Sequence, residues 1–254
     1  MVVNVDPTWA ASIFLVSLRV SVLMLMSPVF TGLAGLVTVR VLVTIGLSAV
    51  LVSGMGTSLA PIEMTLGSLV QAAMGEVFVG ATMAFGVFAA FGAFSVAGKI
   101  LDVQSGFAIG SVYDPVTGAG APLFSTMLNL VAVAAFFGMD AHHALLRGLA
   151  FSLEQVAPGH GLVQFSVEPV IRQFGLMFSL GVALIIPVML CLLLVEVGLA
   201  MISRVLPQMN VFFVTIPIKV FAALAIFALT VELLAPAMTK VYASIFFYWE
   251  QVLS

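Results

Sequence analysis

Long runs without a charged residue dominate this 254-residue sequence. Each run holds about 20 residues or more, the length that an α-helix needs to cross the hydrocarbon core of a bilayer. The runs are Val20–Val39, Val41–Ile62, Val77–Gly98, Pro115–Met139 and Gln173–Val195. Backbone groups in lipid must pair within their own segment, and no alternation of apolar and polar residues indicates a β-barrel. The runs therefore predict an all-α integral membrane protein.

The composition leads to the same prediction. Hydrophobic residues make up 63% of the chain and charged residues 7%, and the mean hydropathy is +1.28. A folded chain of this mass exposes on the order of 10⁴ Å² of surface, which eight Lys and Arg, eleven Asp and Glu and three His cannot keep hydrated. The apolar surplus must face lipid or other subunits.

Several function classes are excluded by what the sequence lacks. The net charge of −3 and the absence of a basic cluster exclude nucleic-acid binding by electrostatic attraction. Cys191 is the single cysteine, so no internal disulfide can form. No GxSxG motif, phosphate-binding loop or cofactor fingerprint is present. We expect neither enzymatic activity nor a cofactor, and we expect the N-terminus, which has no Lys or Arg before Arg19, to be retained.

The apolar runs and the prolines between them predict six helical segments. These segments lie near residues 9–31, 38–53, 66–98, 121–139, 170–205 and 211–238, with Pro28, Pro61, Pro122, Pro207 and Pro236 near the breaks.

The segment 102–122 interrupts this helical pattern. Its four glycines and two prolines exclude one continuous helix, yet it carries Phe107, Ile109, Val112 and Tyr113, which a solvated loop does not need. Irregular backbone between membrane helices is tolerated where protein buries it or where it lines a watery cavity. The segment is therefore either a packed connector or a loop that occludes a pore.

Charged residues within the apolar sequence should face partners, water or one another, because a charge in hydrocarbon costs at least about 2.5–3.5 kcal/mol. Pro207-Gln208-Met209-Asn210 resembles the turn of a helical hairpin. Glu196 and Lys219 lie about equally far from it on either side, so their heights differ by only a few Å. We predict that they form a desolvated ion pair.

The most polar region, residues 140–172, contains His142, His143 and His160. Adjacent helical residues point about 100° apart, and no spacing typical of zinc ligands is present. We therefore predict no metal ligands and expect the adjacent histidines to cap a helix, contact a partner or lie at the membrane interface.

Three stretches together resemble the FliR family of flagellar export-gate subunits, whose injectisome counterparts form the SctT/SpaR family. They are AGKILDVQSGFAIGSVYDP (Ala97–Pro115), FFGMDAHHALLRGL (Phe136–Leu149) and SRVLPQMNVFFVTIPIK (Ser203–Lys219). Weaker agreement comes from Arg19 and Glu76. The resemblance covers nearly the whole chain, and it depends on the order and spacing of these stretches.

The resemblance implies a non-enzymatic subunit of the flagellar type III protein-export gate in the bacterial inner membrane and the flagellar basal body. It implies a FliP-like region over residues 1–168, which includes a plug loop at 106–122, and a FliQ-like helical hairpin over residues 169–254. The implied partners are FliP-like and FliQ-like subunits in a hetero-oligomeric ring, FlhB-like and FlhA-like proteins, and unfolded export substrates.

The resemblance also implies roles for individual residues. The pore-closing loop maps onto Gly106, Phe107, Ile109, Gly110, Val112, Tyr113, Asp114 and Pro115. Assembly contacts are expected at Arg19, Glu76, Arg204, Pro207, Gln208 and Asn210. Two alternatives remain: an injectisome export-gate subunit, and a transporter or channel for small solutes, which broken helices and intramembrane charges also favour.

Overall fold

A computed structural model describes residues 7–33, 37–54, 65–107, 122–159, 166–205 and 211–253 of the chain. All regular structure within these ranges is helical. The helices are α1 (Pro7–Met26), a 3₁₀ helix (Pro28–Leu33), α2 (Val37–Gly54), α3 (Leu66–Ser105), α4 (Leu123–Gly138), α5 (Ala141–Gln155), α6 (Glu168–Val205), α7 (Val211–Thr230), a second 3₁₀ helix (Val231–Leu234) and α8 (Ala235–Leu253). The predicted all-α class is confirmed.

Two helices, α5 and α8, are missing from the sequence-based map. Helix α5 lies in the most polar region, which no long apolar run marks. Helix α8 was missed because Pro236 was taken as a break. Proline lacks an N–H and is tolerated in the first turn of a helix, and Pro236 occupies that position. Helix α3 also continues to Ser105, beyond the predicted end near residue 98.

Within the part of the chain that the structure describes, five helical segments are long and apolar enough to cross a membrane. They are Thr8–Met26, Val37–Gly54, Leu66–Ser105, Glu168–Val205 and Thr215–Leu253, and a sixth is added if α4 and α5 together count as one span. Large apolar side chains are exposed on these helices, for example Leu42, Leu194, Phe221 and Leu229. Exposed apolar surface of this extent requires lipid or protein to cover it.

The chain divides into two compact units. The first contains residues 1–89, 140–173 and 244–254, and the second contains residues 90–139 and 174–243. Each unit takes residues from both sides of the predicted boundary at residue 168, so this boundary does not separate the two units. Helices α3, α6 and α8 each contribute residues to both units.

A buried ion pair lies at the centre of the first unit. Arg19 on α1 and Glu76 on α3 have no exposed surface, and Arg19 Nε lies 2.7 Å from Glu76 Oε2. The Nη2 group donates to Glu76 Oε1 at 3.1 Å and to the Val156 carbonyl at 3.0 Å. The Nη1 group donates to the Ser152 carbonyl at 2.9 Å and to its Oγ at 3.1 Å. The Gly159 N–H donates to Glu76 Oε1 at 2.9 Å.

This network uses every N–H of the guanidinium. A buried charge is tolerated when an opposite charge and hydrogen bonds compensate its lost hydration. The contacts come from α1, α3, the end of α5 and the turn that follows α5. Arg19 and Glu76 therefore fix the positions of these elements relative to one another.

An aromatic cluster forms the core of the second unit. The Tyr242 ring lies 5.8 Å from that of Phe94 and 5.6 Å from that of Phe136, and the ring of Phe91 lies 5.9 Å from that of Phe136. The Tyr242 hydroxyl donates to the Ala132 carbonyl at 2.6 Å. These rings contribute apolar burial, and the hydroxyl finds an acceptor in the same core.

We predict that Arg19→Ala destabilises the chain by about 3–5 kcal/mol, because Glu76 is left as an unpaired buried charge. Arg19→Lys should also destabilise it, because an ammonium group cannot supply five N–H donors in a planar arrangement. Denaturant titration of the purified chain in detergent measures the free energy of unfolding. Arg147→Ala, at an exposed arginine on α5, is the control and should change little; an equal loss in both alanine variants would contradict the assignment.

Candidate functional site

The glycine-rich segment between α3 and α4 is the candidate functional site, and the structure describes its two ends. Gly106 and Phe107 lie at the end of α3, and Pro122 precedes α4. The other predicted residues of the pore-closing loop, Ile109, Gly110, Val112, Tyr113, Asp114 and Pro115, lie outside the described residues.

Asp102 joins the two ends of this segment. It lies in the last turn of α3 and is 3% exposed. Its Oδ1 accepts the N–H of Phe124 at 2.8 Å, and its Oδ2 accepts the N–H of Ser125 at 3.1 Å. These are the second and third residues of α4, whose N–H groups have no partner within the helix. Asp102 therefore caps α4 from a different helix, with its carboxylate at the positive end of the helix dipole.

Helices α3 and α4 approach closely beside this cap. A Cβ atom at Gly98 would collide with the backbone of Ser125, so only glycine fits at this position without a backbone shift. Farther from the segment, Ser95 Oγ donates to Asn129 Oδ1 at 3.1 Å. The two helices are thus held together from Ser95 to Asp102.

Gly106 and Phe107 mark where α3 ends. Gly106 has a φ of 89°, which favours glycine, and its N–H donates to the Val103 carbonyl at 3.2 Å. The Phe107 ring packs edge-on against Phe124, with 5.8 Å between the centroids, and Phe124 packs in the same way against Phe227 at 5.7 Å. Phe107 is therefore part of the packed base of the segment.

The structure brings Glu196 and Lys219 together. Lys219 Nζ donates to Glu196 Oε1 at 2.7 Å. The Lys219 side chain is 16% exposed and that of Glu196 is 48% exposed, so the pair is only partly desolvated in this chain. The proposed turn residues Pro207, Gln208 and Asn210 lie outside the described residues.

The expected assembly contacts occupy different environments. Arg204 is exposed near the end of α6. Arg19 and Glu76 have no exposed side-chain surface. They contact other residues of this chain, and their expected role in assembly stays a prediction.

The adjacent histidines His142 and His143 lie in the first turn of α5, which begins at Ala141 directly after Asp140. Their ring centroids are 4.1 Å apart, although the 100° helical spacing predicts divergence. Side chains in the first turn have no preceding turn of helix beside them, so both rings can lean toward the same side. His143 Nδ1 lies 3.3 Å from Asp140 Oδ1.

Comparison with protein families decides the assignment. The family model described as "Bacterial export proteins, family 1" matches residues 10–245. The chain belongs to this family. The match includes both ends of the glycine-rich segment, Asp102, the Arg19–Glu76 network and the Glu196–Lys219 pair.

Curated members of the export family are similar to this chain. The flagellar biosynthetic protein FliR of Pectobacterium carotovorum is 24% identical over 94% of this chain and 91% of that protein. FliR of Bacillus subtilis is 32% identical over 57% of this chain and 58% of that protein. The surface presentation of antigens protein SpaR of Shigella sonnei is 33% identical over 60% of this chain and 58% of that protein. In the last two matches the chain thus spans less than two thirds of its relative.

Asp102 was not predicted as a site residue of this export-family chain. Its partners are two backbone N–H groups 22 and 23 residues away, and backbone groups leave no pattern in a sequence. Two features of the sequence could have indicated this cap. A carboxylate precedes the glycine-rich segment, and Pro122, which precedes α4, has no side chain that can cap the helix.

We predict that Asp102→Ala destabilises the start of α4 by about 1–3 kcal/mol, because two buried N–H groups lose their acceptor. Hydrogen exchange of the amides of Phe124 and Ser125 should become faster. Ser105→Ala is the control, because among the described residues the Ser105 hydroxyl donates to the Asp102 carbonyl in the same helix and not to α4. Unchanged exchange in Asp102→Ala would show that the carboxylate does not hold α4.

We also predict that Glu196→Lys and Lys219→Glu each lower the amount of folded chain in the membrane, since each places two like charges together. The double exchange restores an opposite pair and should recover the loss. Glu232→Lys, at an exposed carboxylate, controls for the charge change alone. Quantitative blotting of membranes measures the amounts, and a double variant no better than the single variants would refute the pairing.

Proposed function

We propose that this chain is a non-enzymatic core subunit of the flagellar type III protein-export gate. The observation that carries the proposal is the match to the bacterial export family over residues 10–245, together with flagellar relatives that cover up to 94% of the chain. Its helices supply the apolar surface that a membrane-embedded subunit presents to lipid and to other subunits.

The partners in this proposal are FliP-like and FliQ-like subunits, with which the chain forms a hetero-oligomeric ring. Residues 1–168 would correspond to the FliP-like region and residues 169–254 to the FliQ-like hairpin. FlhB-like and FlhA-like proteins complete the gate, which lies in the bacterial inner membrane at the flagellar basal body. Exposed Arg204 and the turn residues Pro207, Gln208 and Asn210 are the proposed assembly contacts.

Within this gate, residues 106–115 are the proposed pore-closing loop. The apolar side chains of Ile109, Val112 and Tyr113 would exclude water and ions from the resting pore. The capped start of α4 and the packed Phe107 support the assignment, because a loop that closes a pore needs a fixed base.

Two other functions are alternatives to the flagellar export gate. SpaR of Shigella sonnei, at 33% identity, favours an injectisome export-gate subunit. A small-solute transporter is the second alternative, but such transporters commonly contain internal repeats, and we find no repeat in the sequence.

Complementation of a deletion strain tests the proposed function. A strain without this chain should neither export flagellar proteins nor swim, and the wild-type chain should restore both. A deletion strain that still swims would contradict the flagellar function, and loss of effector secretion in that strain would favour the injectisome.

Deletion of residues 106–115 tests the pore-closing role. The assembled gate should then leak ions and small solutes, measured as collapse of the membrane potential in cells. A second variant, with Ile109, Val112 and Tyr113 changed to Ser, keeps the loop length and should leak less than the deletion variant. Co-purification with the partner subunits verifies assembly, and an assembled deletion variant that stays ion-tight would overturn the role.

A further inference from the structure

Three side chains of the kinds that can ligate a metal ion meet at the start of α5. Asp140, His142 and His143 each offer a ligand atom, and these atoms all lie within 4.8 Å of one another. The side chains of Asp140 and His143 are exposed by 77% and 62%, so an ion can reach them from outside the protein. The proposed export function uses none of these three residues.

The spacing of two of these ligand atoms fits one edge of a coordination tetrahedron. Zinc binds imidazole nitrogen at about 2.0–2.1 Å and carboxylate oxygen at about 2.0–2.2 Å, which places two tetrahedral ligands about 3.3–3.4 Å apart. His143 Nδ1 and Asp140 Oδ1 are separated by 3.3 Å. These two atoms therefore need little movement to bind the same ion.

The Asp140 carboxylate is not used to cap its own helix. Asp140 occupies the N-cap position of α5, where an aspartate commonly accepts a backbone N–H, but its side chain makes no such bond. Its backbone is left-handed, with a φ of 56° and a ψ of 21°. The carboxylate faces the imidazole of His143 instead.

His142 supplies the third donor. Its ring lies beside that of His143, with the centroids 4.1 Å apart and the planes tilted by 36°. The remaining gap of up to 4.8 Å between ligand atoms exceeds a tetrahedral edge, so side-chain rotation at the exposed residues must close it. Three protein ligands leave a fourth position for water or for a group from another molecule.

We propose that Asp140, His142 and His143 form a surface site for a divalent transition-metal ion, with Zn²⁺ as the best-suited ion. Two imidazoles and one carboxylate are the ligands that Zn²⁺ commonly takes in sites with an open position. Mg²⁺ and Ca²⁺ prefer oxygen ligands, so they should not compete. The proposal does not depend on the export function.

The test uses the full chain, purified in detergent with an affinity tag that contains no histidine. Titration with Zn²⁺ alone, followed by calorimetry, should show one equivalent bound per chain. Titration with Co²⁺ should give the visible absorption of a tetrahedral complex. Excess Mg²⁺ should leave both signals unchanged.

Loss of a group that only hydrogen-bonds a metal ligand already lowers metal affinity about 10–100-fold. We therefore expect Zn²⁺ binding to weaken at least about tenfold in each of the variants Asp140→Asn, His142→Gln and His143→Gln. Glu154→Gln is the matched control, because Glu154 is an exposed carboxylate on the same helix. Thermal unfolding without metal verifies that each variant is folded. No binding by the wild type, or equal binding by all variants, would overturn the site.

Discussion

The first unit depends on the ion pair and the hydrogen bonds of one buried group, the Arg19 guanidinium. It has no contact with solvent, and all of its N–H groups are used by Glu76 and by carbonyl and hydroxyl oxygens near the end of α5. In so apolar a chain a buried charge is stable only when its whole hydrogen-bonding capacity is met. This requirement selects one arrangement of α1, α3 and α5, because apolar contacts alone are not directional.

The same constraint explains the base of the candidate site and the pair on α6 and α7. Asp102 is buried and satisfies two N–H groups that the start of α4 would otherwise leave without a partner. Glu196 is half exposed and shares one oxygen with Lys219. In the proposed gate, protein groups of other subunits would cover this half-exposed carboxylate.

The sequence predicted the parts of the structure that depend on local pattern. Charge-free runs predicted the long helices, and distance from a turn brought Glu196 and Lys219 to a similar depth. The partnership of Arg19 with Glu76 was not predicted, because 57 residues separate them and no local periodicity connects them. Asp102 was missed because its partners are backbone groups, and the meeting of His142 with His143 was missed because first-turn side chains escape helical spacing. Contacts between residues that are distant in the sequence can be identified only once the folded structure is known.

We propose that lipid and other subunits cover the exposed apolar helices. The most direct measurement is the mass of the particle that carries this chain after gentle detergent extraction, by light scattering with correction for bound detergent. We expect a protein mass several times the 26.7 kDa of one chain, with two other small membrane proteins in the same particle. A stable monomer of one chain in buffer without detergent would show that these helices need no such cover.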